Sequence, residues 1–177
     1  VVDRRHVLIV DDDTQVREVL HQIFQSAGYE CLRAASGAEA LAIFQVSRPP
    51  LTVTDLRMPG MDGVGVLRAI RQVDPDAAVM VLTGAPEVHA AIASLKLGAD
   101  DFIVKPVNVD ELLIAAERAL ERRQLLLERR QYQALLERRV EEATHDLQRA
   151  FQQLKETYRA TLETLGAALD SRDVGTE

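Results

Sequence analysis

Four short apolar runs each end on a residue able to handle phosphate or a cation. Asp11-Asp12-Asp13 follows His6-Val7-Leu8-Ile9-Val10, and Asp55 follows Leu51-Thr52-Val53-Thr54. Thr83-Gly84 follows Val79-Met80-Val81-Leu82, and Lys105-Pro106 follows Phe102-Ile103-Val104. Carboxylates gathered at one place repel one another unless a cation neutralises them, and an all-oxygen donor set selects a hard cation such as Mg2+. An ammonium and a hydroxyl beside them suit a phosphoryl group, one offsetting its charge and the other bonding its oxygen. The four segments must therefore meet at one edge for this chemistry to exist.

The runs themselves predict that edge. Val7–Val10, Tyr29–Ala34, Leu51–Thr54, Val79–Leu82 and Phe102–Val104 are short and almost continuously apolar, as strands of a parallel sheet covered on both faces must be. Helical spacing fills the gaps. Thr14 is placed to cap a helix with Val16, Val19, Leu20, Ile23 and Phe24 on one face, stopped by Gly28. Ser36 opens a second with Ala40, Leu41 and Phe44 inward. Val64, Leu67 and Ile70 mark a third ending near Pro75, and Val88, Ala91, Ile92 and Leu95 a fourth stopped by Gly98. Five βα units make a doubly wound α/β sheet, in which ligands bind at the carboxyl ends of the strands.

Composition narrows the partners. The chain has 177 residues and net charge −7. Residues 1–108 carry ten Lys/Arg against fourteen Asp/Glu, and residues 109–177 eleven against fourteen. Neither half has the basic footprint of a nucleic-acid module, so no direct nucleic-acid partner is expected. No apolar stretch has membrane-spanning length, and a cytoplasmic protein without a membrane partner is expected. The single cysteine, Cys31, lies on an apparent strand and reads as a small buried hydrophobe.

The order and spacing of these pieces, with Asp55-Leu56-Arg57-Met58-Pro59-Gly60-Met61-Asp62-Gly63 at their centre, resemble the receiver domain of two-component response regulators over about the first two-thirds of the chain. The resemblance implies a flavodoxin-like five-stranded sheet of order 2-1-3-4-5 in residues 1–121. It implies that Asp55 is the phosphoacceptor for a sensor histidine kinase or phosphotransfer protein. Mg2+ would be held by Asp12 directly, Asp11 mainly through water, Asp55 and the Arg57 backbone carbonyl. Lys105 would offset charge on the transferring group, Thr83 would bond the phosphate, and Phe102 would rotate as Thr83 moves, reshaping the face of the fourth helix, last strand and fifth helix. Pro106 stands where the family carries a cis peptide bond.

Beyond Asn108, a helix cap, no glycine or proline interrupts the chain until Gly166. Residues 109–169 predict one long helix continuing from the receiver's last. From Val140 a 4-3 alternation runs through Thr144, Leu147, Phe151, Leu154, Tyr158, Thr161, Leu165 and Ala168, a heptad seam expected to join two copies as a coiled coil. Leu125-Leu126-Leu127-Glu128-Arg129-Arg130 recurs as Ala134-Leu135-Leu136-Glu137-Arg138-Arg139 nine residues later, which predicts a phase break between Glu128 and Val140. His145 sits in Thr144-His145-Asp146-Leu147 without the rest of a kinase phosphoacceptor box and reads as an exposed helix residue.

Residues 162–177, with Leu165-Gly166-Ala167-Ala168-Leu169 and Arg172-Asp173, resemble the opening segment of HD-GYP domains. That resemblance implies the start of a truncated cyclic-di-GMP phosphodiesterase output whose catalytic residues lie past Glu177, so these 177 residues would perform no enzyme chemistry beyond their own phosphotransfer. The alternative is a receiver-plus-coil adaptor that acts by binding proteins.

Overall fold

The computed structural model describes residues 6–84 and 98–173, with side chains to Gly166. Strands β1 (His6–Val10), β2 (Glu30–Ala34), β3 (Leu51–Asp55), β4 (Ala78–Thr83) and β5 (Asp101–Val104) form one parallel sheet in the order β2-β1-β3-β4-β5. Helices α1 (Thr14–Ser26), α2 (Gly37–Ser47) and α3 (Gly63–Val73) connect the strands, and α4 runs Val109–Asp173. The expected fourth helix, at Val88 to Leu95, lies outside the described residues.

Alternation along the strands divides the core into two layers. Val7, Ile9, Val53, Met80, Leu82 and Ile103 pack with Leu20 and Phe24 of α1 and with Leu112, Ala116 and Leu120 of α4. Leu8, Val10, Val79 and Val81 face the other way, toward Phe44 of α2 and Val66, Leu67 and Ile70 of α3. Period-two side chains thus feed both faces, which is why every residue of β3 and β4 is buried.

Caps fix where the helices begin. Ser36 Oγ accepts from Glu39 N at 3.2 Å and Asn108 Oδ1 from Glu111 N at 3.1 Å, as the sequence indicates. At α1 the cap is Asp13, not Thr14: its carboxylate accepts from Gln15 N at 2.8 Å, and Thr14 is the first helical residue. A charged carboxylate beside the positive helix terminus is the better acceptor. Cys31 lies on β2 but is only half-buried, because β2 is the sheet edge.

The chain divides into two units, Val1–Glu128 and Arg129–Glu177. Within the first, Arg123 of α4 donates to Asp74 at 2.8 Å just past α3, and Arg71 joins Asp100 at 2.9 Å. In the second, every side chain described is exposed.

Candidate functional site

Parallel register brings the polar ends together. Val10 stands opposite Thr54, and Asp55 opposite Leu82, so Asp11, Asp55 and Thr83 leave adjacent strands at one level. Thr83 pairs with Val104, which sets Lys105 next in line on β5. The Lys105 N–H donates to Thr83 O at 2.7 Å, so the loop leaves β5 still tied to β4, and the Lys105-Pro106 bond is cis.

Lys105 Nζ lies 2.5 Å from Asp55 Oδ1 and 2.9 Å from Asp11 Oδ2. One ammonium therefore bridges two carboxylates, of which Asp11 is 1% exposed. The second oxygen of each is held by backbone: Asp11 Oδ1 accepts from Asp13 N at 2.9 Å, and Asp55 Oδ2 from Arg57 N at 3.0 Å. Burial pushes the Asp55 carboxyl above its ordinary range; Lys105 offsets part of that rise, and neighbouring Asp11 adds to it. Burial also works against charge on Lys105, but hydrogen bonds to Asp55 and Asp11 outweigh it and raise the lysine above its usual range. The two shifts favour opposite protonation states of the pair. The contact at 2.5 Å, doubled by Asp11, decides for the ion pair.

Not every expected residue joins this cluster. Asp12 is exposed, and no three acidic, histidine or cysteine side chains among the described residues converge as a ready-made metal cage. Thr83 is fully buried, its hydroxyl 3.3 Å from Gly84 O, and Phe102 is half-buried opposite Val81. The donor set still fits Mg2+, which commonly takes one or two carboxylates and keeps several waters. Asp11 and Asp55 place two carboxylates at this edge, both against Lys105.

Two further residues support the site: Arg17, which has no obvious sequence signal, and Gly63, whose only signal is its place in the loop after Asp55. Arg17 Nη1 donates to Asp11 O at 2.6 Å and pins the acidic turn from α1. Gly63 N donates to Leu56 O at 2.9 Å, and a Cβ on Gly63 would collide with the Asp55 carbonyl oxygen and reach within 3.0 Å of Leu56 Cα. Only glycine lets α3 start this close to the backbone of Asp55.

The model of the response regulator receiver domain matches residues 7–117. The chain belongs to that family. As a receiver, it is 38% identical over 124 residues to the C4-dicarboxylate transport transcriptional regulatory protein DctD of Rhizobium meliloti, with 70% of this chain and 27% of that protein covered. It is 41% identical over 111 residues to the probable transcriptional regulator ycf27 of Cyanophora paradoxa, covering 63% and 46%. Among solved structures, a receiver domain from Clostridium thermocellum superposes with a TM-score of 0.66 at 33% identity, covering 68% of this chain and 98% of that one. NtrX from Brucella abortus gives 0.68 at 32% identity, covering 72% and 29%. The chain spans between a quarter and a half of the two curated relatives' length. Their names give no support to the expectation that nucleic acid is not a partner, and the HD-GYP likeness is not among these matches. Among the described residues, no helix is long and apolar enough to cross a membrane.

Proposed function

We propose that Asp55 takes a phosphoryl group from a phosphohistidine on a sensor histidine kinase or phosphotransfer protein, in the cytoplasm. A carboxylate oxygen forms the new bond to phosphorus as the P–N bond breaks; the imidazole leaves with that electron pair and an acyl phosphate remains. Lys105, already between Asp55 and Asp11, follows the developing charge. Thr83 donates its hydroxyl to a phosphate oxygen, and Phe102 moves into the space it vacates. Asp12, Asp55 and the Arg57 carbonyl would hold Mg2+ directly and Asp11 mainly through water, and the ion would supply charge neutralisation there. The bridging Lys105 ammonium is the observation that carries this reading.

The signal leaves through α4, paired with a second copy as a coiled coil, toward an output. Residues 162–177 support a cyclic-di-GMP phosphodiesterase as that output. The relatives' names support transcriptional control instead, and the receiver-plus-coil adaptor needs neither. The test is phosphoryl transfer from a labelled phosphohistidine donor, with and without Mg2+, followed by cyclic-di-GMP hydrolysis and DNA-binding assays on the native protein. Label appearing only with Mg2+ and an intact Asp55 supports the site. Transfer that ignores both overturns it. Phosphate-dependent hydrolysis selects the phosphodiesterase, phosphate-dependent DNA binding the transcriptional output, and neither the adaptor.

A further inference from the structure

We infer that a second copy of this chain packs parallel and in register along Tyr132, Leu136, Val140, Thr144, Leu147, Phe151, Leu154, Tyr158, Thr161 and Leu165, with the supercoil locally unwound between Tyr132 and Thr144. This rests on the paired helix proposed above and specifies its geometry. The apolar members of the stripe are open: Tyr132 is 65% exposed, Leu147 71% and Phe151 67%. Eight apolar side chains on each of two copies, at roughly 100 Å² apiece, bury about the 1,600 Å² of a standard stable interface.

Charges are sorted to leave that stripe free. Arg138 pairs with Glu142 at 2.9 Å, Arg149 with Asp146 at 3.2 Å, and Gln152 with Glu156 at 3.1 Å, all off the stripe. The polar members satisfy themselves. Thr144 donates to Val140 O at 2.7 Å and Thr161 to Thr157 O at 2.9 Å, so both hydroxyls can be buried with their donors already used.

The stepping is not uniform. From Thr144 to Leu165 there are 21 residues in six steps, 3.5 per step, the period of a left-handed coiled coil. Extending those heptads toward the amino end would put Glu137 and Gln133 on the seam, yet these two bond each other at 3.1 Å. Steps of four from Thr144 reach Val140, Leu136 and Tyr132 instead, 12 residues in three steps, or 4.0 per step. A stretch above 3.6 cannot follow a left-handed supercoil, so the pair must unwind there. The expected phase break is therefore a change of twist, not a gap in the seam. It also sets orientation: an antiparallel partner would oppose the 4.0 stretch of one copy to the 3.5 stretch of the other, and only a parallel one matches periods along the whole length.

The test is disulfide formation between single cysteines placed in the Cys31→Ser chain at positions 133, 136, 137, 140, 147 and 154, with sedimentation of the unmodified chain alongside. Same-site crosslinks at 136, 140, 147 and 154 at least tenfold faster than at 133 and 137 are expected. Equal rates at 133 and 137 mean heptads run straight through and overturn the unwound segment, while the dimer stands. Rapid crosslinking only between unlike positions in mixed samples overturns the parallel orientation. A sedimenting monomer that forms no crosslink overturns the dimer itself.

Discussion

Replacing Lys105 with methionine keeps the stem and removes the ammonium that bridges Asp11 and Asp55. Removing one partner of a fully buried pair costs about 3–5 kcal/mol. The Lys105 side chain is 28% exposed, so water relieves part of this and a loss of about 2 kcal/mol is expected in the presence of a chelator. With a urea slope of roughly 1–3 kcal/mol per molar, the unfolding midpoint falls by about 1 M. Magnesium should close much of that gap. The two carboxylates of the variant no longer share their charge with an ammonium, so they bind the cation more tightly than the parent does. At saturating Mg2+ the gap narrows by RT ln of the ratio of the two dissociation constants, so tenfold tighter binding by the variant recovers about 1.4 kcal/mol of the loss. The assay is urea unfolding of both proteins near neutral pH, with chelator and then with saturating Mg2+. A gap of the same size in both conditions would refute the idea that Lys105 and the metal answer the same two carboxylates.

Gly63→Ala drives a methyl into the Asp55 carbonyl and should cost about 1–3 kcal/mol by unfolding while slowing phosphorylation; parental values for both would show that α3 can back away. Asp74→Ala strands the Arg123 guanidinium, whose Nε and Nη1 have no partner among the described residues, so it should destabilise more than Asp74→Ala combined with Arg123→Met; the reverse order in melting temperature would contradict the pairing. Burial lifts the Asp100 carboxyl above its ordinary range, despite the Val79 amide and Arg71. The folded state then holds that proton more tightly than the unfolded one, so this residue's contribution to stability falls as pH rises from about 4 through the folded pKa. Asp100→Asn, which keeps an acceptor for Val79 N, should flatten that fall; an unchanged pH profile would count against it.

The sheet was legible because each strand is an unbroken apolar run between helical patterns, and order follows from the matching family. Asp11, Asp55 and Lys105 were legible for a related reason: each stands directly after such a run, and parallel register carries all three to one edge. What the sequence could not show is pairing. Nothing in Asp11-Asp12-Asp13 says that the first is buried against Lys105, the second exposed and the third spent capping α1; the turn at the end of β1 decides that. Thr14 resembled a cap because serine and threonine often are, but a carboxylate one residue earlier competes better for the same N–H groups. Gly63 looked like part of a loop motif, and its close approach to Asp55 appears only in three dimensions. The role of Arg17 depends on one helical turn bringing it back over Asp11.

The most direct test of the central claim is chemical trapping of the phosphorylated residue. The chain is phosphorylated with a small acyl-phosphate donor and Mg2+, reduced with borohydride, digested and sequenced by mass. An acyl phosphate on a carboxylate is reduced to the alcohol, so homoserine at position 55, absent without the donor and absent in Asp55→Asn, is the expected result. Reduction at Asp11, Asp12 or Asp13 instead, or phosphate retained on His145 with Asp55 untouched, would contradict the account.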